Sequence, residues 1–194
     1  GSYGRVPAEN AELWVIEDTV CRGPLTRTVE DAALHLDVVV GPHPLDPNSL
    51  PHPGISYRQV LRELPAGLRV GFSADLGFAV VQHDVAEGVY DAARVFEELG
   101  HRFEEVKTAA THLGTDWGML AALELYPKLS DKLPDHREEF GRAFLRGVLG
   151  AIHVDAERWG RIRERRAALG RWCAEIFDRY DLLLTPTVPY DPPP

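Results

Sequence analysis

Residues 68–106 read LRVGFSADLGFAVVQHDVAEGVYDAARVFEELGHRFEEV, and this stretch decides the fold class. Its opening LRVGF is an apolar run entered through Pro65 and Gly67, the pattern of a buried strand. From about Asp84 to Leu99 the residues Val85, Val89, Ala92, Ala93, Phe96 and Leu99 recur at helical spacing, and Gly100 supplies the stop. RFEEV, residues 102–106, then reads as a second strand. Strand, helix and strand with a crossover of that length make a βαβ unit, so the strands should run parallel and the connection should be right-handed. The chain is predicted to be α/β, with residues 65–107 as the βαβ unit in part of a mixed sheet.

Upstream, residues 1–53 read as an extended segment, a helix and a proline-rich loop. The apolar run at residues 13–16 suggests a short strand. Thr28 is placed to cap a helix, with Asp31 three positions on and Val29, Ala32, Ala33, Leu36, Val39 and Val40 on one side, until Gly41 and Pro42 end it. PHPLDPNSLPHP, residues 42–53, carries five prolines in twelve positions and supports neither helix nor central strand. A short helix is expected over residues 57–64.

Downstream, residues 115–180 read as a helix-rich layer. One helix is expected over residues 117–125 with a break near Tyr126 and Pro127. Another is expected over residues 136–149, with Phe140, Phe144, Val148 and Ile152 in phase. Asp155 should cap a long helix over residues 156–180, whose stripe is Trp159, Ile162, Leu169, Cys173, Ile176 and Tyr180. Residues 182–184 make a third short strand, and residues 181–194 leave through a proline-rich exit.

Composition narrows the function. The chain has 194 residues, 44% apolar and 26% charged, with 21 Lys and Arg against 30 Asp and Glu for a formal net charge of −9. That suits one soluble, cytoplasmic-type domain with a real core. An acidic balance works against nucleic acid, whose affinity comes chiefly from Lys and Arg releasing counterions. No window approaches the roughly 20 apolar residues of a membrane span.

Local chemistry is sparse. Cys21 and Cys173 form no CxxC pair, and the eight histidines never come within seven residues of one another, so nothing local supports a metal site. GFSADLGF after the first strand fits neither GxGxxG nor a phosphate loop of the Walker type, and no cofactor is expected. No serine lies in a GxSxG elbow. Ser73 is the best placed, at a strand C-terminus, and reads as a turn serine capping the loop that follows. The arginines of the long helix interleave with Glu157, Glu164, Glu175 and Asp178, the mark of a salt-bridged solvated surface, with Arg165 or Arg166 near the apolar phase and able to meet a buried carboxylate.

GPLTRTVEDAALHLDVVVGPHPLDPNSLP, residues 23–51, closely resembles the segment that follows the glycine- and serine-rich signature of the amidase signature family. YGRVP at residues 3–7 is similar to the end of the motif just upstream. The βαβ unit and DLLLTPT at residues 181–187 fit the same family in the same order, so the resemblance covers essentially the whole chain. His43 and the pair Cys21-Arg22 depart from its usual residues, in loop detail only.

The resemblance implies hydrolysis of carboxamides to carboxylate and ammonia or amine, by a serine activated through a second serine and a lysine base. A serine hydroxyl is a weak nucleophile, and the base must be desolvated to work at neutral pH. The family carries these three residues upstream of its Tyr-Gly-Arg-Val-Pro text. The expectation is therefore a single partial domain over residues 1–194, the middle portion of an amidase, with no catalytic residue and no activity alone. Its contribution would be a helical layer shaping the cavity for a small-molecule amide, with Trp117, Glu124, Tyr126, Thr185, Pro186 and Thr187 as lining candidates. Uncovered strand edges near residues 182–184 predict self-association. Two alternatives stay open: a non-catalytic α/β interaction module, and a segment of the amidotransferase component that passes ammonia to a misacylated tRNA.

Overall fold

The computed structural model describes residues 2–8, 19–63 and 65–191. The short strand expected at residues 13–16 lies outside them. Contacts divide the chain into two compact units, Gly1–Leu64 with Trp117–His153, and Pro65–Asp116 with Val154–Pro194.

The first unit is helical. Helix α1, Val29–Val39, opens as its sequence dictates: the Thr28 hydroxyl accepts the Asp31 N–H at 3.1 Å. It stops at Val40, and Gly41 follows with φ of 135°, a value that favours glycine. Helix α2, Tyr57–Val60, is half the expected length and is capped twice, by the Ser56 hydroxyl and by the Asp37 carboxylate of α1. Burial alone would raise the Asp37 carboxyl, but the bonds from Ser56, Tyr57 and Arg58 hold it below its ordinary value.

Helix α4, Gly114–Leu129, corrects the expected break, since it runs through Pro127. The region expected as one helix from residue 136 divides into α5, Leu133–His136, a 3₁₀ turn at Arg137–Glu139, and α6, Arg142–Leu149. Val148 is buried, whereas Ile152 falls beyond α6 in a second 3₁₀ turn and is exposed.

The second unit holds the sheet. Strands β1, Arg69–Phe72, β2, Arg102–Glu105, and β3, Leu182–Leu184, lie in the order β2-β1-β3 and pair in parallel throughout, with Val70 opposite both Phe103 and Leu182. Helix α3, His83–Glu98, connects β1 to β2, so the βαβ reading holds. Its inward residues are Val85, Val89, Ala93 and Phe96, at spacings of four, four and three, while Ala92 and Leu99 face water. Gly100, at φ of 85°, closes the helix, with the His101 N–H bonded back to the Phe96 carbonyl.

Helix α7, Ala156–Arg179, is capped by Asp155, whose carboxylate accepts the Arg158 N–H at 2.7 Å. Ile162, Ile176 and the following Tyr180 are buried, but Trp159 is exposed with Arg163 over its ring. Val106, Ile176 and Tyr180 form a core cluster against which Trp172 and Leu183 pack. On β1, Val70 and Phe72 are buried, Phe72 meeting the rings of Phe103 and Tyr90 at centroid distances of 5.5 and 5.8 Å. Each such side chain contributes about 1.5–3 kcal/mol through burial. Among the described residues no helix is long and apolar enough to cross a membrane.

Candidate functional site

Parallel strands all end at one edge of their sheet, and in α/β proteins chemistry gathers at that edge because loops of different strands converge there. In the second unit three loops meet in this way. The segment after β1 gives the Ser73 N–H to the Leu184 carbonyl at the end of β3, at 3.0 Å. It also offers the Leu76 carbonyl to the Ala110 N–H at 2.9 Å. Gly77, with φ of 76°, comes so close to the loop after β2 that a Cβ there would meet Ala109 Cβ at 2.5 Å. Phe78 stacks on His112 with centroids 4.7 Å apart. At the far end, the Gln82 N–H donates to the Pro189 carbonyl at 2.8 Å, and its side chain exchanges hydrogen bonds with Asp191.

Ser73 is the hub of this edge. It is 4% exposed, and its hydroxyl oxygen accepts the Leu76 N–H at 2.9 Å. It is thus the turn-capping serine its position predicts. Leu76 sits in left-handed backbone at φ of 53°, a conformation that costs an ordinary residue about 1 kcal/mol or more.

Thr185, Pro186 and Thr187 follow β3 directly and stand at this same edge, Thr185 and Pro186 half-buried and Thr187 exposed. Trp117, Glu124 and Tyr126 belong to α4 in the other unit. Trp117 is half exposed, and its indole N–H donates to the Thr19 hydroxyl at 3.1 Å. At about 100° per residue, Glu124 lies on the same side of α4 as Trp117 and Tyr126 lies opposite. One helix therefore cannot present all three to one surface. Glu124 and Tyr126 are half-buried.

The arginine expected near the apolar phase of α7 is Arg165. Within the second unit, its Nε donates to the Asp116 carboxylate at 2.6 Å and its Nη2 donates to the His112 carbonyl. Asp116 is 19% exposed, so the pair is partly shielded.

Sequence reasoning missed a buried acid. Asp46, 5% exposed, sits in the proline-rich loop and accepts the Asn48 N–H on Oδ1 and the Ala8 N–H on Oδ2, each at 2.9 Å. The first bond was legible in the text Asp-Pro-Asn as a local turn. The second spans 38 residues and left no local signal. An open groove of about 500 Å³ lies between α3 and the end of β1, floored by Phe72, Ala86 and Tyr90 and rimmed by His83, Glu87 and Arg94. Among the described residues no group of His, Cys, Asp and Glu is arranged to hold a metal ion.

A family model described as Amidase matches residues 1–194. An amidase of Pseudomonas putida is 34% identical over 171 residues, which take in 86% of this chain and 36% of that protein. The A component of the glutamyl-tRNA(Gln) amidotransferase of Gloeobacter violaceus is 43% identical over 84 residues, 43% of this chain and 17% of the relative. The structure of a bacterial aryl acylamidase of the amidase signature enzymes is similar with a TM-score of 0.84 at 25% identity, covering 99% of this chain and 41% of that one. The chain spans less than half the length of each.

Proposed function

The chain belongs to the Amidase family, and from that membership we propose that it is the middle portion of an amide hydrolase that splits carboxamides to carboxylate and ammonia or amine. The observation that carries this reading is the fit of one family model to the whole of residues 1–194. The nucleophile, its partner serine and the lysine base are supplied by residues outside these 194. The state of Ser73 supports that division: buried and already engaged by the Leu76 N–H, it is a structural serine. This portion contributes cavity wall, with Trp117 and Glu124 on one side of α4 and, separately, the turn Thr185-Pro186-Thr187. Tyr126, half-buried on the opposite side of α4, is the remaining lining candidate of that helix.

Release of ammonia or amine from simple amides tests the reading in two polypeptides. The 194-residue chain is expected to show no turnover, and a chain extended upstream through the serines and lysine is expected to show it. Turnover by the shorter chain overturns the division of labour. An inert extended chain overturns the hydrolase reading.

A second reading, a segment of the amidotransferase component, is favoured by the 43% identity to that protein over 84 residues. A 30% identity over 196 residues to another such component extends as far along the chain as the 34% identity over 171 residues to an amidase, and the higher of the two identities supports taking the hydrolase reading first. Stable co-purification of the extended chain with a second polypeptide would reverse the order.

A further inference from the structure

We infer that Asp46 is a positioning residue, whose carboxylate fixes residues 4–8 against the proline-rich loop and so fixes the register of the serine-bearing segment joined upstream of Tyr3. The inference rests on the hydrolase reading above for the identity of that segment. Its physical basis is the division of labour between the two carboxylate oxygens.

An Asp-Pro-Asn turn needs only one of them. Oδ1 accepts the Asn48 N–H two residues on, which is the ordinary way an Asp closes such a turn. The rest of the loop is closed without the side chain: the Asp46 N–H donates to the His43 carbonyl at 3.0 Å, and the Ser49 hydroxyl donates to the Asp46 carbonyl at 2.6 Å. Oδ2 is therefore surplus to the turn. It reaches back to the Ala8 N–H instead.

Two further bonds lay the same segment along the loop. The Leu50 N–H donates to the Gly4 carbonyl at 2.8 Å, and Arg5 Nη1 donates to the Pro51 carbonyl at 3.0 Å. The seat leaves no slack, because a Cβ on Gly4 would lie 2.3 Å from the Asn48 carbonyl oxygen, and Gly4 adopts φ of 71°. Asp46 alone among these partners brings a buried charge, and a carboxylate accepting backbone N–H groups makes the stronger class of hydrogen bond. Catalytic groups tolerate little misplacement: an error of about 1 Å costs roughly 10²-fold in rate.

Asp46→Asn tests this at constant shape. A carboxamide has one acceptor oxygen, and an Asn keeps it on the backbone N–H two residues on, here Asn48, so the Ala8 N–H is left facing an NH₂ group and loses its bond. In the 194-residue chain, Asp46→Asn is expected to lower protection of the Ala8 amide from hydrogen exchange by about tenfold, the order of one buried hydrogen bond, with Val70 and Ala93 unchanged. In the extended chain the same variant is expected to lower kcat by about tenfold or more while KM moves by less than about twofold. Unchanged Ala8 protection overturns the proposal, and lost protection with unchanged kcat overturns the positioning role. A wild-type extended chain without turnover overturns the hydrolase reading, while exchange still decides whether Asp46 holds the segment. Should Asp46→Asn not fold, Ala8→Pro deletes the donor and leaves the acid in place; it is expected to lower protection of the Leu50 amide, and an unchanged Leu50 amide overturns the proposal.

Discussion

The ring of Tyr180 lies against Gly71, so that a Cβ on residue 71 would sit 2.9 Å from both Cγ and Cδ2 of the ring. Glycine in the central strand is what lets α7 end against the sheet. Gly71→Ala would also press on Val106, at 3.0 Å. The variant is expected to lose about 1–3 kcal/mol, the cost of overpacking a filled core, measurable by urea denaturation. Tyr180→Leu combined with it should recover part of the loss. No change in the denaturation midpoint would show that the ring moves aside freely.

Arg69 and Asp181 pair at 2.9 Å, and the Arg69 backbone N–H also donates to the same carboxylate at 2.8 Å. The Arg69 guanidinium, followed by that N–H, draws the Asp181 carboxyl down from 3.8 to about 2. A carboxyl depressed on folding adds stability above its unfolded value, and that contribution disappears as pH falls from 3.8 through about 2. Melting temperatures of wild type and Asp181→Asn are expected to differ at pH 5 and to converge only below pH 2. A constant gap across that range would deny the pair its role.

Arg165→Ala removes the bonds to Asp116 and to the His112 carbonyl. Because Arg165 is half exposed, a loss of about 1 kcal/mol is expected. Arg165→Lys should restore less than half, since an ammonium cannot serve two acceptors in the planar fork of a guanidinium. A double-mutant cycle with Asp116→Asn measures the coupling, and zero coupling would mark the pair as incidental.

Strand β3 is paired with β1 on one side and is an edge of the described sheet on the other. Its sequence is Leu-Leu-Leu with Leu182 41% exposed, whereas the opposite edge, β2, carries Arg102, Glu104 and Glu105. Charge blunts one edge and leaves the other open to pairing. Sedimentation velocity is expected to show concentration-dependent association that Leu182→Lys reduces. A monomer at every concentration, without binding of an apolar dye, would contradict this.

Where sequence reading succeeded, the physics was local. Thr28 capping Asp31, Gly41 and Gly100 ending helices, and the alternation of strand, helix and strand over residues 68–106 are each decided within a few residues. Pro127 misled because a proline costs a helix the bond to the carbonyl four residues back, yet only two helical residues follow it, so the helix survives. Gly141 had the opposite effect: it begins α6 where periodicity alone carried the helix back to residue 136. At the candidate site, Ser73 was legible as a turn cap and one arginine of α7 as a partner for a shielded acid. The reach of Asp46 to Ala8 was not, since sequence periodicity carries no trace of a contact 38 residues long.

The order β2-β1-β3 has a consequence for how the chain is made. β1 lies in the middle of the sheet, but β3, which covers one of its edges, pairs from residues 112 positions later. Ribosomes add roughly 5–20 residues per second, so after β2 emerges the LRVGF edge waits on the order of ten seconds for its neighbour. Through that interval a nascent chain carries a half-built sheet with an apolar strand uncovered, and the cell must shield it until residue 184 arrives.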